Sequence, residues 1–442
     1  MKRFALNSAA LVALAVGPAA AQVVSPDNVP GLTDTSSQIV QGGILAPISV
    51  VEGAGIKVGE GTVLHPIIGL ETGFVSNVFF EENSPRAAGI MRLVAQIGTA
   101  SLSQQRLTPA NEGAATEQNV GSLQYRAELR ASYDFYLSGS DTLSAQNGLG
   151  LGALFRGTVL PQNTWSFLYL EQFERIIRAT NFESTERTNR DINRLALGLQ
   201  FAPRGRSVKG VLRFENVIDY FEDENQQFAN RVQNTVGLTV SWRFRPLTVF
   251  FADLAQGYFT GLGSDSRKVD SYPLTASVGT QTLLTLKSTL AARVGYQNGF
   301  YSTGQNFSAV MGGVQFGYRY TPTGRFTAMY EYGHQDSINA NFFRDHTFRI
   351  GLEQQFAPFL LQVGPEARIR AYRGVMTLVP GPDTRNDLIL AAIANLRYNF
   401  RDSFAALLEY RFSSVETDYV TGFGDDPSFV RHEILAAVRA AL

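Results

Sequence analysis

The chain of 442 residues carries 38 Lys and Arg against 39 Asp and Glu, a formal charge of −1, and no Cys. Disulfides, thiolate metal sites and cysteine nucleophiles are therefore excluded, and no polybasic excess speaks for a nucleic-acid partner. Gly (41), Phe (31) and Tyr (17) are abundant beside 2 Trp, while sustained helical periodicity and a split into domains are both missing.

Lys2 and Arg3 open the chain, an apolar stretch runs from Phe4 to Val16, Gly17 and Pro18 interrupt it, and Ala19, Ala20 and Ala21 precede Gln22. This order of charge, short apolar core and small residues is that of a cleaved secretory signal over residues 1–21. The core falls short of the roughly 20 apolar residues of a spanning helix. Residues 22–63, rich in Pro, Gly, Ser and Val, are expected to form an irregular periplasmic segment, with a small plug or docking element as the alternative.

Over residues 64–442 the pattern becomes one of short segments alternating apolar and polar, each followed by turn residues. Leu290, Ala292, Val294 and Tyr296 share one face against Thr289, Arg293 and Gln297; Phe326, Ala328, Tyr330 and Tyr332 oppose Thr327, Met329 and Glu331. A period of two cannot make an amphipathic helix. A soluble sandwich shares the alternation, but here short connections (Pro161 to Thr164, Arg245-Pro246, Leu286-Lys287, Pro322 to Gly324, Ala357-Pro358) take turns with longer polar ones (Asn181 to Arg190, Glu222 to Asn230, Gly261 to Tyr272, Ser337 to Asp345). Aromatics such as Trp242 and Phe244, or Tyr398 and Phe400, gather at segment ends on the apolar parity. The fold class is therefore all-β: a transmembrane antiparallel up-and-down β-barrel of about 18 strands, with 16 as the alternative, in the outer membrane of a Gram-negative bacterium. Residues Ser103 to Asn119 make a long connection where a short turn is expected, and Trp165 to Ile177 mixes apolar residues on both parities. Pro365 falls within a segment, where a bulge is expected.

An Arg facing lipid near the midplane costs about 2–4 kcal/mol, so the charged parity must face the lumen, and a slip of one residue would expose every charge on a strand. This assigns Arg126, Glu128, Arg130, Arg213, Glu215, Arg243, Arg293, Arg319, Glu331, Arg349, Glu353, Glu366, Arg368, Arg370, Arg397, Glu409, Arg411 and Arg439 to a pore lining, and with Asp134, Asp219 and Glu433 on the same parity the inward charges number 12 cations against 9 anions, a slight cationic excess. Arg349, Arg368 and Arg370 are expected to form a basic strip that favours anions weakly, although interior ion pairing that stiffens the wall is an equal alternative.

Residues 59–80, Gly-Glu-Gly-Thr-Val-Leu-His-Pro-Ile-Ile-Gly-Leu-Glu-Thr-Gly-Phe-Val-Ser-Asn-Val-Phe-Phe, resemble the opening strand of a family of outer-membrane β-barrel porins often associated with exopolysaccharide secretion. Phe74 and Val75 stand where that family usually has Tyr-Asp. The resemblance implies export of an exopolysaccharide and a periplasmic polysaccharide-export component as partner, beside outer-membrane lipid. The residues alone allow a general diffusion porin for small hydrophilic solutes, or a closed structural barrel.

No catalytic site, cofactor or metal is expected. His334, Asp336 and His346 flank one connection and are better read as rim residues than as a water-activating pair. Glu222 to Glu224 and Gly424 to Asp426 lack the spacing of a calcium loop. No nucleophile elbow, zinc-protease signature or phosphate loop is present.

Overall fold

The computed structural model describes residues 53–59, 62–101, 121–177, 189–203, 207–376, 383–401, 403–420 and 427–442. The expected signal, most of the segment before residue 63, the connection from Ser103 to Asn119 and Asp425-Asp426 lie outside them. The strands are β1 (Ile56–Gly59), β2 (Thr62–Val75), β3 (Ala88–Ala100), β4 (Leu123–Leu137), β5 (Gly148–Val159), β6 (Trp165–Ile176), β7 (Arg190–Phe201), β8 (Val208–Phe221), β9 (Arg231–Arg245), β10 (Thr248–Gly261), β11 (Leu274–Thr285), β12 (Ser288–Asn298), β13 (Ser308–Thr321), β14 (Gly324–Asp336), β15 (Ala340–Phe356), β16 (Phe359–Val375), β17 (Thr384–Arg401), β18 (Phe404–Thr417) and β19 (Phe429–Ala441). One short helix, α1 (Asp141–Ser144), follows β4, and a 3-10 helix (Glu224–Ala229) precedes β9.

Each strand from β2 to β19 pairs antiparallel with its sequence neighbours, and β19 returns to β2 from Glu433 opposite Val75 to Ala441 opposite Ile67. The result is a closed barrel of 18 strands, which settles the choice between 18 and 16. Closure removes every free sheet edge, the condition for a β-structure in hydrocarbon. At the seam the backbones pass so closely that a Cβ on Gly73 would lie 1.8 Å from the Ile434 carbonyl oxygen, so only glycine fits there. The short β1 pairs with the first residues of β2, where β19 runs out, and the Gly55 N–H donates to the Leu442 carbonyl at 2.8 Å.

The alternation read from sequence sorts the faces. On β2, Ile68, Leu70, Thr72 and Phe74 point outward, while Ile67, Glu71 and Val75 are buried within. Outward aromatics stack across strands at the end of the barrel that carries the short turns: Trp165 on Phe201 (4.8 Å between ring centroids), Phe359 on Tyr398 (4.8 Å) and Phe400 on Phe404 (5.2 Å). A closed barrel with an apolar exterior and an aromatic girdle is the solution required by a bilayer, and the chain is an outer-membrane barrel.

Two local expectations are corrected. The residues from Ser337 to Asp345 are not a long loop: β15 begins at Ala340, leaving only residues 337–339 as the tip of a tall hairpin. Pro365 causes no bulge: β16 keeps one register on β15 from Arg349 opposite Glu366 to Leu352 opposite Val363, and only the pairings of Ile350 and Gly351 drop out. Proline removes a donor without lengthening the strand, so the ladder opens locally while the register stays.

Candidate functional site

The inner wall is the candidate site. Inter-strand register places Arg126, Glu128 and Arg130 on the face opposite Leu129 and Tyr133, and by the same alternation the other sequence-derived residues of the lining lie on the inner face. Most are engaged by partners on the same strand or one or two strands away. Arg126 pairs with Glu128 and Arg293 with Glu331; Glu215 meets Arg194 at 2.6 Å, Glu353 meets Arg325 at 3.1 Å, and Arg411 meets Glu409 at 2.5 Å. Arg213 donates to Asp253 at 2.8 Å and to the Thr239 hydroxyl at 2.6 Å. Around the seam, Arg439 reaches Glu71 at 2.5 Å, and Arg92 bridges Glu71 (3.2 Å) and Asp134 (2.6 Å).

The strip expected to favour anions is mostly compensated. Arg349 and Arg368 share Glu366, and Arg370 forks onto Asp345 with bonds of 2.8 and 2.7 Å, so three guanidiniums share two carboxylates. All five are buried, and the Arg370 guanidinium also lies 3.6 Å over the Phe343 ring. Buried charges of this kind are held by their partners and brace the wall.

Four inward arginines differ. Arg156 on β5, Arg243 on β9, Arg319 on β13 and Arg397 on β17 have no carboxylate within ion-pair distance among the described residues, and the Nε atoms of Arg243 and Arg397 have no hydrogen-bond acceptor. Each lies near the short-turn end of its strand, and the strands are four apart, so the charges are spread around the wall. Arg156 stands directly opposite Arg126, a like-charged cross-strand pair. Sequence reasoning found three of the four. It missed Arg156 because β5, Gly-Leu-Gly-Leu-Gly-Ala-Leu-Phe-Arg-Gly-Thr-Val, carries Leu on both parities and blurs the alternation.

At the long-loop end, connections fold inward. The segment after β2 is tied down by Asn77, whose side chain donates to the carbonyls of Glu81 (2.7 Å) and Val430 (3.2 Å) and accepts from the Glu81 N–H (3.0 Å). Val78 is thereby set among Val75, Ile90, Tyr136, Leu143 and Leu435, and Phe80 among Ile389, Val415 and Phe429. The family-like residues Ser76 to Phe79 thus work as a clamp between the first and last strands. From the other side, the tip of the β14–β15 hairpin inserts Ile338 against Phe221 and Ala229, both fully buried. Asp336 meets Arg231 at 2.6 Å and Lys268 at 3.6 Å, and Lys268 also donates to the carbonyls of Ser337 and Ala340. These inward residues carry no local signal, because an apolar side chain in a loop reads the same whether it turns inward or outward.

No protein-family model matches the chain, and no curated protein matches its sequence. Among solved structures it is similar to Acinetobacter baumannii OccAB4 at 10% identity, covering 86% of this chain and 98% of that one with a TM-score of 0.44. The outer membrane protein OpdK of Pseudomonas aeruginosa matches at 9% identity, over 87% and 99% of the two chains, with a TM-score of 0.46. The siderophore receptor PirA of the same organism matches at 8% identity, over 86% and 80%, with a TM-score of 0.39. At such identities the likeness is one of barrel architecture.

The residues weighed for chemistry are not brought together. His334 stacks on Phe307 at 4.5 Å, and its Nε2 lies 3.0 Å from the Tyr301 hydroxyl; Asp336 is held by Arg231 and Lys268; His346 faces outward beside Tyr330 and Tyr332. Among the described residues no group of acidic and imidazole side chains is arranged to hold a metal ion. The acidic run after β8 has structural partners: Glu222 is bound by Arg175 at 2.5 Å, a guanidinium that holds its carboxyl below the usual range, and Asp223 caps the 3-10 helix by accepting from the Asn225 N–H.

Proposed function

We propose that this barrel is a diffusion channel for small hydrophilic solutes and that it favours anions, with the long-loop end facing outside and the short turns facing the periplasm. The observation that carries this reading is the set Arg156, Arg243, Arg319 and Arg397. Four uncompensated guanidiniums in a belt, backed by a low-dielectric wall, sum to a positive potential in the lower half of the lumen and raise the local concentration of anions. A barrel of 18 strands is wide enough to leave an aqueous path. Export of an exopolysaccharide finds no support in the barrel or in its likenesses. The loops that set Val78, Phe80 and Ile338 on the inner wall narrow the passage that a polymer would need.

The test is reconstitution of the purified barrel in planar bilayers under a KCl gradient, with parallel measurement of surface polysaccharide and solute uptake in a deletion strain. Anion-selective reversal potentials and lost uptake support the proposal. Cation preference or a silent barrel overturns it, and lost polysaccharide with normal uptake restores the export reading.

A further inference from the structure

One sector of the outer wall breaks the apolar rule. On β4 the outward residues are Tyr125, Ala127, Leu129, Ala131, Tyr133 and Phe135, and on β17 they are Leu388, Leu390, Ala392, Ala394 and Leu396. On β6 to β9 the same face carries Glu171, Arg175, Asp191, Asn193, Asn216 and Asn234. Register fixes their side: Glu171 lies opposite Leu195, Arg175 opposite Asp191, and Asn216 opposite Asn234, all on the parity of the girdle residues Trp165 and Phe201. This sector explains the mixed parity of residues 165–177.

Glu171, Asn193, Asn216 and Asn234 sit inside the hydrocarbon band, whereas Arg175 and Asp191 reach its far edge, where Glu222 holds Arg175 at 2.5 Å. Glu171 is six residues along β6 from Trp165, which at about 3.3 Å per residue and a tilt of about 40° places it roughly 15 Å above the girdle in an apolar band about 25 Å tall. No lipid headgroup reaches that depth. The groups bond sideways: Asn193 Nδ2 donates to Glu171 Oε1 at 2.6 Å, and Asn216 Nδ2 donates to Asn234 Oδ1 at 2.9 Å. These bonds leave donors and acceptors of the carboxamides unspent. A bilayer leaves such groups unsatisfied, whereas a protein surface of matching chemistry does not.

We infer that the β6–β9 face is the contact surface of a twofold dimer of this chain. The occupant follows from the chemistry of the patch. It sets carboxamides that donate and accept, Asn193, Asn216 and Asn234, beside the Glu171 carboxylate, so a second copy turned by a twofold axis complements it. A twofold contact is isologous and sets the patch against its own copy, which groups that both donate and accept can satisfy.

The chain has no Cys, so single cysteines report contact cleanly. Asn216→Cys lies near the proposed axis, and Leu390→Cys, on β17 and nine strands away, lies on the far side of the barrel at comparable depth. After oxidation in native outer membranes, position 216 is expected to give a disulfide-linked species of twice the chain mass and position 390 none. No product at 216, equal products at both sites, or a product of another mass overturns the inference. Heat-modifiable mobility on gels verifies that each variant is a folded barrel. Independently, the wild type is expected to run at twice the chain mass in mild detergent and the Asn216→Leu, Asn234→Leu double variant at the single-chain mass; a wild type of single-chain mass overturns the dimer. Conductance is read separately, so the dimer and the channel fail independently.

Discussion

Arg231 begins β9 and Asp336 ends β14, five strands apart in the wall, yet their side chains meet at 2.6 Å. The wall brings neither to the other; the hairpin tip does, by leaning inward and seating Ile338 on Phe221 and Ala229. Asp336→Asn removes the charge that holds Arg231 and Lys268 together, a charge-assisted contact worth about 1–3 kcal/mol. The expected outcome is a larger and noisier single-channel conductance with the barrel still folded. Unchanged conductance would mean that the tip does not restrict the passage.

The arginine belt predicts a charge effect that depends on salt. Replacing Arg156, Arg243, Arg319 and Arg397 together by Gln is expected to abolish anion preference at 0.1 M salt, where the Debye length is about 10 Å, and to matter little at 1 M, where it is about 3 Å. The measurement is the reversal potential at both salt concentrations. A quadruple variant that keeps the wild-type preference would assign selectivity to other residues.

Glu366 is a structural counter-ion. It lies between Arg349 and Arg368 and is 3% exposed. Glu366→Gln leaves two buried guanidiniums short of charge and is expected to cost about 3–5 kcal/mol, seen as a lower temperature for the loss of the compact gel form. A neutral effect would mean that water already compensates the arginines.

At the seam, Asn77→Ala removes three hydrogen bonds from a side chain that is 1% exposed. With an unsatisfied buried group costing about 1–3 kcal/mol, the variant is expected to release the inward segment and give protease cleavage near Glu81 and Glu82 in folded barrels. Wild-type resistance would show that the packing of Val78 and Phe80 suffices.

The orientation has its own test. Asp265→Cys, in the loop after β10, is expected to react with a membrane-impermeant maleimide in intact cells, and Leu286→Cys, in the turn after β11, only after lysis. The reverse pattern would invert the barrel.

What the sequence determined by itself was the local alternation and its consequences. Period two in residues such as Leu290 to Gln297 makes strands, the price of a lipid-facing guanidinium chooses the inner parity, and alternating connection lengths make the barrel. Arg243, Arg319 and Arg397 were legible for that reason. Tertiary structure decided what depends on which strands stand side by side. Whether Arg349 is free or bound to Glu366 turns on the register between β15 and β16. Whether Phe80 and Ile338 line the passage turns on contacts with residues far off in the chain, Ile389 for the one and Phe221 for the other. The polar face of β6 to β9 is spread over more than sixty residues, from Glu171 to Asn234, and becomes one patch only when three registers align its members. Side-chain parity is a property of one strand, whereas ion pairs, inward loops and surface patches belong to pairs and sets of strands.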